Sequence, residues 1–314
     1  MSKIDEIKNE VKKVLVGHEH LLDSLLIGLI SDGHILVEGV PGLAKTTAIN
    51  ALAKSLGLDF KRVQFTPDLL PSDITGTEIY DQKSGEFKIK KGPVFTNLLL
   101  ADEINRAPAK VQAALLEVMQ ERQVTIGDKS FKIDKPFLVM ATQNPVEQEG
   151  TYPLPEAQLD RFMLKTVVTY NTFDEEFLMV KRVADNNFEK INQVATKEDL
   201  EALSKAAKEV HVDDAVLKYM LKIVYATRYP KEYGLDEIAE FIEFGSSPRG
   251  SINLYKASRA IALIHNKDFV SPRDVALIAP DVLRHRIILN YKAQANGINE
   301  DYIIKKILEK IPLP

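Results

Sequence analysis

The stretch Gly39-Val-Pro-Gly-Leu-Ala-Lys45-Thr46 decides the fold, because it stands between an apolar run and a helical pattern. The run Ile35–Glu38 before it has the length and composition of a buried strand, and a helix is predicted from 46 to 56. At such a turn, consecutive backbone N–H groups and the helix N-terminus form a nest for anions. The spacing is that of a P-loop, in which Lys45 reaches the β- and γ-phosphates and the Thr46 hydroxyl ligates Mg²⁺.

One position departs from the usual P-loop pattern, because Ala44 stands where a Gly normally precedes the Lys. Ala fits this place if its φ is negative. The residues predicted to contact the nucleotide at this turn are Gly39, Val40, Pro41, Gly42, Leu43, Ala44, Lys45, Thr46 and Thr47. A glycine-rich turn that binds nothing is the alternative, and the next motif argues against it.

A second apolar strand, Asn97-Leu-Leu-Leu-Ala-Asp102-Glu103, ends in two adjacent carboxylates. Such side chains at a strand end are costly unless a cation or a reaction uses them. We predict that Asp102 holds Mg²⁺, partly through water, and that Glu103 orients and deprotonates the attacking water. Together with the P-loop, the pair indicates a nucleoside triphosphatase, in which positioning and charge neutralisation supply most of the catalysis. A solvated loop start is the alternative reading of the two acids.

Two more polar groups are candidates for the same site. The apolar strand Phe137–Ala141 is followed by Thr-Gln-Asn144-Pro145. An amide there can polarise a water between a carboxylate and the γ-phosphate, although Asn-Pro is also an ordinary turn signal. Arg249 lies in the first turn of a helix begun by Ser247-Pro248. A cation there opposes the helix dipole by about 0.3–1 kcal/mol, and a nearby anion would reverse that penalty.

The order of strands and helices predicts an α/β core followed by a helical domain. Short apolar runs fit the buried strands of a parallel sheet, and they lie at 35–38, 62–65, 98–101, 137–141 and 163–168. Two segments, 75–95 and 122–136, alternate around turn residues and predict β-hairpin insertions. Beyond about 172 the strand pattern stops. The predicted domains are a nucleotide-binding core at 1–175 and a small all-α lid at 176–314.

The composition excludes several classes of protein. An apolar content of 45% and a charged content of 27% over 314 residues exclude a chain that is disordered throughout. The net charge of −4 disfavours sequence-blind binding of nucleic acid. The absence of Cys excludes disulfides, thiol catalysis and Cys-ligated metals. No segment is long and apolar enough to span a bilayer, so we expect a soluble cytoplasmic protein.

These motifs resemble the MoxR family of AAA+ ATPases, and the match runs through nearly the whole chain. It rests on the P-loop and on three longer stretches, Leu100-Ala-Asp-Glu-Ile-Asn-Arg-Ala-Pro108, 115–126 and 141–162. The Ala before the P-loop Lys is normal in this family. The resemblance implies a five-stranded AAA+ sheet followed by a helical lid. It also implies membership of the helix-2-insert group, in which the hairpin at 75–95 is that insert and the hairpin at 122–136 precedes sensor 1.

The resemblance further implies roles for individual residues. Asn144 aligns with sensor 1, Arg249 aligns with sensor 2, and Val16 and Gly17 match the segment that lies against the adenine. Arg161 is similar to the arginine finger that reaches the γ-phosphate of a neighbouring subunit. This implies a homo-oligomeric ring, usually a hexamer, with ATP held between subunits.

Some of these roles have alternatives. In the helix-2-insert group the lid can be repositioned, so Arg249 acts either in its own subunit or across the interface. Arg161 as a structural salt-bridge partner is the alternative to the finger. Arg106 and Arg122 are further interface candidates.

The leading functional hypothesis is an ATP-driven, chaperone-like protein that matures or activates partner complexes. The resemblance implies ATP and ADP with Mg²⁺ as ligands, and a client with a metal-binding von Willebrand factor A domain. The alternatives are a metal-chelatase-type motor subunit, an MCM-like nucleic-acid motor, and a scaffold that binds ATP and hardly hydrolyses it. The segment 71–100 balances four acidic residues with four basic ones, which argues against a DNA-tracking hairpin. The second hairpin, with four basic and two acidic residues, keeps the nucleic-acid motor open, although we expect no nucleic-acid partner. Glu103 and Asn144 argue against the scaffold.

Overall fold

The computed structural model describes residues 2–83, 85–145, 150–184 and 189–314. Their contacts form two compact units. The first unit comprises Met1–Pro155 and Thr166–Leu200, and the second comprises Glu156–Lys165 and Glu201–Pro314. A short segment ahead of residue 166 therefore groups with the C-terminal part of the chain. The domain boundary predicted at 175/176 stays a prediction.

The elements follow one another along the chain with short connections. The strands are β1 Ile35–Glu38, β2 Phe60–Gln64, β3 Gly76–Asp81, β4 Glu86–Lys91, β5 Leu98–Asp102, β6 Gln123–Ile126, β7 Lys129–Lys132, β8 Leu138–Gln143, β9 Leu164–Val167, β10 Ile242–Phe244 and β11 Ile288–Leu289. The helices are α1 Lys3–Lys12, α2 Glu19–Ile30, α3 Lys45–Ser55, α4 Pro71–Thr75, α5 Ala109–Glu121, α6 Glu156–Leu159, α7 Phe173–Ala184, α8 Lys197–Glu209, α9 Asp214–Arg228, α10 Asp236–Ala239, α11 Pro248–Ile264, α12 Pro272–Leu283, α13 Tyr291–Ala295 and α14 Glu300–Lys310. Short 3-10 turns occur at Ile104–Arg106 and Pro230–Tyr233.

A five-stranded parallel sheet forms the centre of the core, in the order β2-β5-β8-β1-β9. The strands β5, β8 and β1 are buried on both faces, because helices cover a parallel sheet from both sides. The fold class predicted from the sequence is thereby confirmed. In this order the carboxyl ends of β1, β5 and β8 lie side by side, and the P-loop, the acidic pair and Asn144 follow these three ends.

Strand β2 differs from its prediction. It spans Phe60–Gln64 instead of 62–65, and most of its residues are exposed rather than buried. The reason is its place at the edge of the sheet, where only β5 pairs with it. Polar side chains are favoured on such an edge because they discourage pairing with another chain. Arg62 and Gln64 are therefore available to side chains at the carboxyl end of β5.

Both predicted hairpins are present as two-stranded antiparallel ribbons, β3 with β4 and β6 with β7. The base of the first ribbon is closely packed around Gly76, whose φ is +106°. A Cβ atom on Gly76 would lie 2.4 Å from the carbonyl oxygen of Lys90. Only glycine fits that position without a shift of the backbone.

The second unit is a lid of packed helices, as the sequence predicts, with one short antiparallel ribbon of β10 and β11. Helix α11 begins where predicted, since the Ser247 hydroxyl accepts a hydrogen bond from the Arg249 backbone N–H at 3.1 Å and Pro248 occupies the first turn. Among the described residues, no helix has the length and apolar character needed to cross a bilayer.

Candidate active site

The P-loop joins the carboxyl end of β1 to the start of α3. Lys45, the first residue of α3, donates a hydrogen bond from Nζ to the Gly39 carbonyl oxygen at 2.6 Å. Burial lowers the pKa of Lys45, while the nearby carboxylates of Asp102 and Glu103 act in the opposite direction. The ammonium is thus held over the turn, and the two acids favour its charged form.

Ala44 adopts a left-handed backbone with φ +50° and ψ 19°, so the condition set for Ala at this place, a negative φ, is not met. An L-residue in that region costs about 1–2 kcal/mol relative to the right-handed helical region. The shape of the turn requires this conformation at the N-cap of α3. Gly42 also has a positive φ, +85°, and a Cβ atom there would meet nothing within 4 Å. Gly42 thus has room for a side chain, and its positive φ is what favours glycine there.

Asp102 ends β5 and is held by residues from both neighbouring strands. Thr142 on β8 donates from its hydroxyl to Asp102 Oδ1 at 2.6 Å. Arg62 on β2 donates from a terminal nitrogen to Asp102 Oδ2 at 2.6 Å. The Arg62 side chain is 50% exposed, so this ion pair is partly screened by solvent. At the carboxyl end of β5, the carboxylate is thus bound by a neutral donor on one side and by a half-exposed cation on the other.

Glu103 has an unusual backbone, with φ +55° and ψ 50°. The Glu103 backbone N–H donates a hydrogen bond to the Thr142 hydroxyl at 2.9 Å. Gln64 donates to Glu103 Oε2 at 2.8 Å, and Arg106 Nε lies 3.0 Å from the same oxygen. Left-handed non-glycine residues cluster at functional sites, where the surrounding structure supports the strain. The turn at Glu103 orients its carboxylate into the space beside Asp102.

Sequence reasoning missed Arg62 and Gln64. Their signal was weak, because both lie on the exposed edge strand, where polar residues are ordinary. Their contacts follow from the register of the sheet, in which Gln64 is the partner of Asp102 and Arg62 is the partner of Leu100. That register is a tertiary property and is not readable from either strand alone.

A cavity of about 390 Å³ brings most of the predicted residues together within the first unit. Its lining consists of the turn, the start of α3 and the ends of three strands, namely Pro41, Gly42, Leu43, Ala44, Lys45, Thr46, Thr47, Arg62, Gln64, Asp102, Glu103, Thr142, Gln143 and Asn144. Val16 and Gly17 lie elsewhere in that unit, where Asn171 donates to the Val16 carbonyl oxygen at 3.3 Å. Gly17 has φ +70°, which favours glycine at this position.

The oxygen donors of the cavity fit a magnesium ion. Mg²⁺ prefers oxygen ligands and is usually held by one or two protein groups together with substrate phosphates. The Thr46 hydroxyl and the Asp102 carboxylate both belong to the lining, and each supplies an oxygen. The cavity therefore has the donor set for a triphosphate with one Mg²⁺.

Arg161 and Arg249 belong to the second unit, and Asp160 links their segments. The Ser247 hydroxyl donates to Asp160, at 2.9 Å to either carboxylate oxygen, and a terminal nitrogen of Arg249 lies 3.5 Å from Asp160 Oδ2. The Arg161 side chain is exposed on the turn that follows α6. Arg249 thus contacts Asp160, the residue that directly precedes Arg161 in the chain.

Arg106 and Arg122, the other interface candidates, have partners within the first unit. Arg106 pairs with Glu103, as described above. Arg122 donates to the Phe137 carbonyl oxygen at 2.6 Å and pairs with Asp32 at 2.9 Å. These contacts give Arg122 a structural role at the end of α5.

The chain is similar to known proteins along nearly its whole length. Residues 34–164 match the ATPase family associated with various cellular activities (AAA), and residues 236–307 match the AAA lid domain. The chain is 48% identical over 305 residues to Chaperone MoxR1 of Mycobacterium tuberculosis, an alignment that covers 97% of this chain and 81% of the relative. It is 44% identical over 305 residues to the uncharacterized protein YeaC of Bacillus subtilis, and this alignment covers 97% of this chain and 92% of the relative. A crystal structure of a candidate ATPase from Cytophaga hutchinsonii shares 53% identity with a TM-score of 0.94 and covers 99% of this chain and 95% of that one.

Proposed function

This chain belongs to the MoxR family of AAA+ ATPases, a chaperone-type family, and from that premise we propose that it uses Mg-ATP hydrolysis to remodel partner protein complexes in the cytoplasm. The observation that supports the proposal most strongly is the cavity at the carboxyl edge of the sheet. A lysine, a hydroxyl, two carboxylates and an amide converge there from three different segments of the chain. Such convergence is what phosphoryl transfer to water requires.

Five side chains of the cavity have a proposed task. The backbone N–H groups of the P-loop and the Lys45 ammonium bind the β- and γ-phosphates. Thr46 and Asp102 hold Mg²⁺, which when bound neutralises charge on the phosphate oxygens. Glu103 accepts a proton from the attacking water, and Asn144 orients that water towards the γ-phosphate.

The carboxylate of Glu103, the proposed base, is held in place before substrate binds. Gln64 and Arg106 both bind one oxygen of Glu103, and the Thr142 hydroxyl binds its backbone. A base with a fixed carboxylate loses less conformational freedom in the transition state. The same Thr142 hydroxyl also donates to Asp102, so it ties the metal ligand and the base together.

We further propose that the protein works as a homo-oligomeric ring, most simply a hexamer, in which Arg161 serves the site of the next subunit. A cation supplied in trans stabilises the charge that develops on the γ-phosphate. Arg249, in the first turn of α11, is proposed to bind phosphate as well, and its contact with Asp160 relates it to the Arg161 segment. The adenine is proposed to lie against Val16 and Gly17.

Arg161→Ala is expected to leave ATP affinity nearly unchanged and to lower turnover by about two orders of magnitude or more, because a trans-acting arginine contributes mainly in the transition state. Binding of a fluorescent ATP analogue and release of phosphate measure the two quantities separately. Arg259→Ala, which changes a lid arginine bonded to the Val210 carbonyl oxygen, is the matched control. Wild-type turnover of the Arg161 variant, or wild-type turnover per subunit at dilutions that dissociate the protein, would contradict a shared site.

A protein client is supported by the hairpin of β3 and β4. This ribbon exposes Ile79, Tyr80 and Phe87, and the rings of the last two are 5.3 Å apart. Exposed apolar groups that lie close together are costly in water and are typical of protein-binding surfaces. We propose a client that carries a von Willebrand factor A domain and no nucleic-acid partner.

The client proposal is tested by capture on a protein that holds ATP. The Glu103→Gln variant with ATP and Mg²⁺ serves as bait, and the Lys45→Ala variant under the same conditions is the control. We expect a protein with a von Willebrand factor A domain to be retained by the first bait and not by the second. Recovery of nucleic acid in its place, or equal recovery on both baits, would overturn the client proposal.

A further inference from the structure

Arg286 is buried in the second unit and is bonded around its whole guanidinium group. Its side chain is 0% exposed. Nε donates to Asp160 Oδ1 at 2.9 Å, and one terminal nitrogen donates to the carbonyl oxygens of Asp160 and Phe162 at 3.1 and 2.5 Å. The other terminal nitrogen donates to the carbonyl oxygen of Met163 at 3.3 Å and to that of Val282. The five N–H donors of an arginine thus have five acceptors here.

Such complete bonding explains why the charge is tolerated in the interior. Burial lowers the pKa of Arg286 to about 10, and the Asp160 carboxylate opposes that shift, so the group stays protonated at neutral pH. A buried cation without partners would be strongly destabilising. Four of the five acceptors belong to one short segment, residues 160–163, and this segment contains Arg161.

The two residues before Arg286 bind carbonyl oxygens within that segment and just beyond its end. His285 Nε2 lies 3.0 Å from the Phe162 carbonyl oxygen, and a terminal nitrogen of Arg284 donates to the Lys165 carbonyl oxygen. The chain after α12 therefore binds main-chain oxygens on both sides of Arg161. Main-chain contacts of this kind fix the position of the Arg161 backbone and the direction of its Cα–Cβ bond.

Asp160 connects this arrangement to the start of α11. Its carboxylate accepts from Arg286, from the Ser247 hydroxyl and, at 3.5 Å, from Arg249. The charged groups that face Asp160 are thus one buried arginine and one exposed arginine. A displacement of Asp160 would move the backbone next to Arg161 and the first turn of α11 together.

We infer that Arg286 is a positioning residue, which sets the direction of Arg161 through the carbonyl oxygens of Asp160 and Phe162. The inference rests on the proposed role of Arg161 in a neighbouring active site. A side chain that acts across an interface has to be placed accurately by its own subunit. A misplacement of about 1 Å at a reacting group can lower the rate by about a hundredfold.

The test uses Arg286→Lys, which keeps the buried positive charge and removes the planar guanidinium group with its five N–H donors. A lysine cannot serve five separate acceptors. We expect turnover to fall about tenfold or more while ATP affinity changes little. Arg259→Lys is the matched control, because it makes the same exchange at a lid arginine that binds a single carbonyl oxygen, that of Val210. Wild-type turnover of Arg286→Lys would overturn the inference.

Mixing subunits separates positioning from general damage to the lid. Glu103→Gln subunits hydrolyse ATP very slowly but carry an intact Arg161, and Arg286→Lys subunits have an intact base. In mixed rings, the active site of an Arg286→Lys subunit regains activity when a Glu103→Gln neighbour supplies its intact Arg161. In an equal, random mixture about half of the Arg286→Lys subunits receive Arg161 from a Glu103→Gln neighbour, so we expect the mixture to exceed the mean of the two separate samples by about fivefold. No gain on mixing would show that the Arg286 variant damages its own site, and would contradict positioning.

The same mixing with Arg161→Ala separates this inference from the function on which it rests. If Arg161→Ala keeps wild-type turnover, both the shared site and the positioning role fail. If Arg161→Ala is rescued by Glu103→Gln and Arg286→Lys is not, only the positioning role fails.

Should thermal unfolding show that Arg286→Lys does not fold, Asp160→Asn replaces it, since the amide keeps the shape and removes the charge. That variant is expected to lose about threefold or more in turnover and to be rescued on mixing, and full activity would overturn the inference.

Discussion

Lys45→Ala is expected to abolish detectable nucleotide binding under ordinary assay conditions. Lys45 is the cation of the P-loop turn, it is partly buried, and its Nζ is held over the Gly39 carbonyl oxygen. Removing one partner of a buried charge pair costs about 2–5 kcal/mol, which corresponds to a loss of affinity of about thirtyfold or more. Hydrolysis should disappear with the binding.

Titration of a fluorescent ATP analogue measures this loss, and circular dichroism shows whether the variant remains folded. Lys54→Ala is the matched control, because Lys54 is an exposed lysine in the last turn of the same helix, α3. We expect wild-type affinity from the control. Wild-type affinity from Lys45→Ala would mean that the triphosphate does not bind at the P-loop.

Glu103→Gln is expected to bind ATP as well as the wild type does and to lower hydrolysis by about two to four orders of magnitude, the range for loss of a general base. The amide has nearly the shape of the carboxylate and can still bind Gln64 and Arg106, but it cannot accept a proton from water. ATP should therefore accumulate on the protein.

Single-turnover hydrolysis measures the chemical step apart from release of products. The control is Glu117→Gln, which changes an exposed glutamate on α5 in the same unit. If Glu103→Gln turned over ATP at the wild-type rate, the base would have to be another residue, and the left-handed turn at Glu103 would need a different explanation.

Much of the core was predictable, because its signals are local. The four residues of β1 occur with the predicted ends, and the helix predicted from 46 to 56 occurs as α3, one residue earlier at each end. Both depend on patterns contained in the segment itself, an apolar run before a turn and an apolar helix face. The P-loop and the acidic pair were identifiable for the same reason, since spacing along the chain places them at strand ends.

Other features depend on contacts between distant segments and were not predictable. The positive φ of Ala44 is set by the turn as a whole, although the residue type favours a negative φ. The contacts of Gln64 with Glu103 and of Arg62 with Asp102 need the register of β2 against β5. Arg286 binds Asp160 across 126 positions of sequence. The ribbon of β10 and β11 is too short, at three and two residues, to show an alternating pattern.

A crystal structure of the Glu103→Gln variant with ATP and Mg²⁺ is the most direct test of where the triphosphate binds. We predict phosphates over the turn 39–46, with Lys45 Nζ on the β- and γ-phosphates and the metal ion between the Thr46 hydroxyl and Asp102. A triphosphate bound elsewhere, or Asp102 still paired only with Arg62 and Thr142 while ATP is present, would contradict the account.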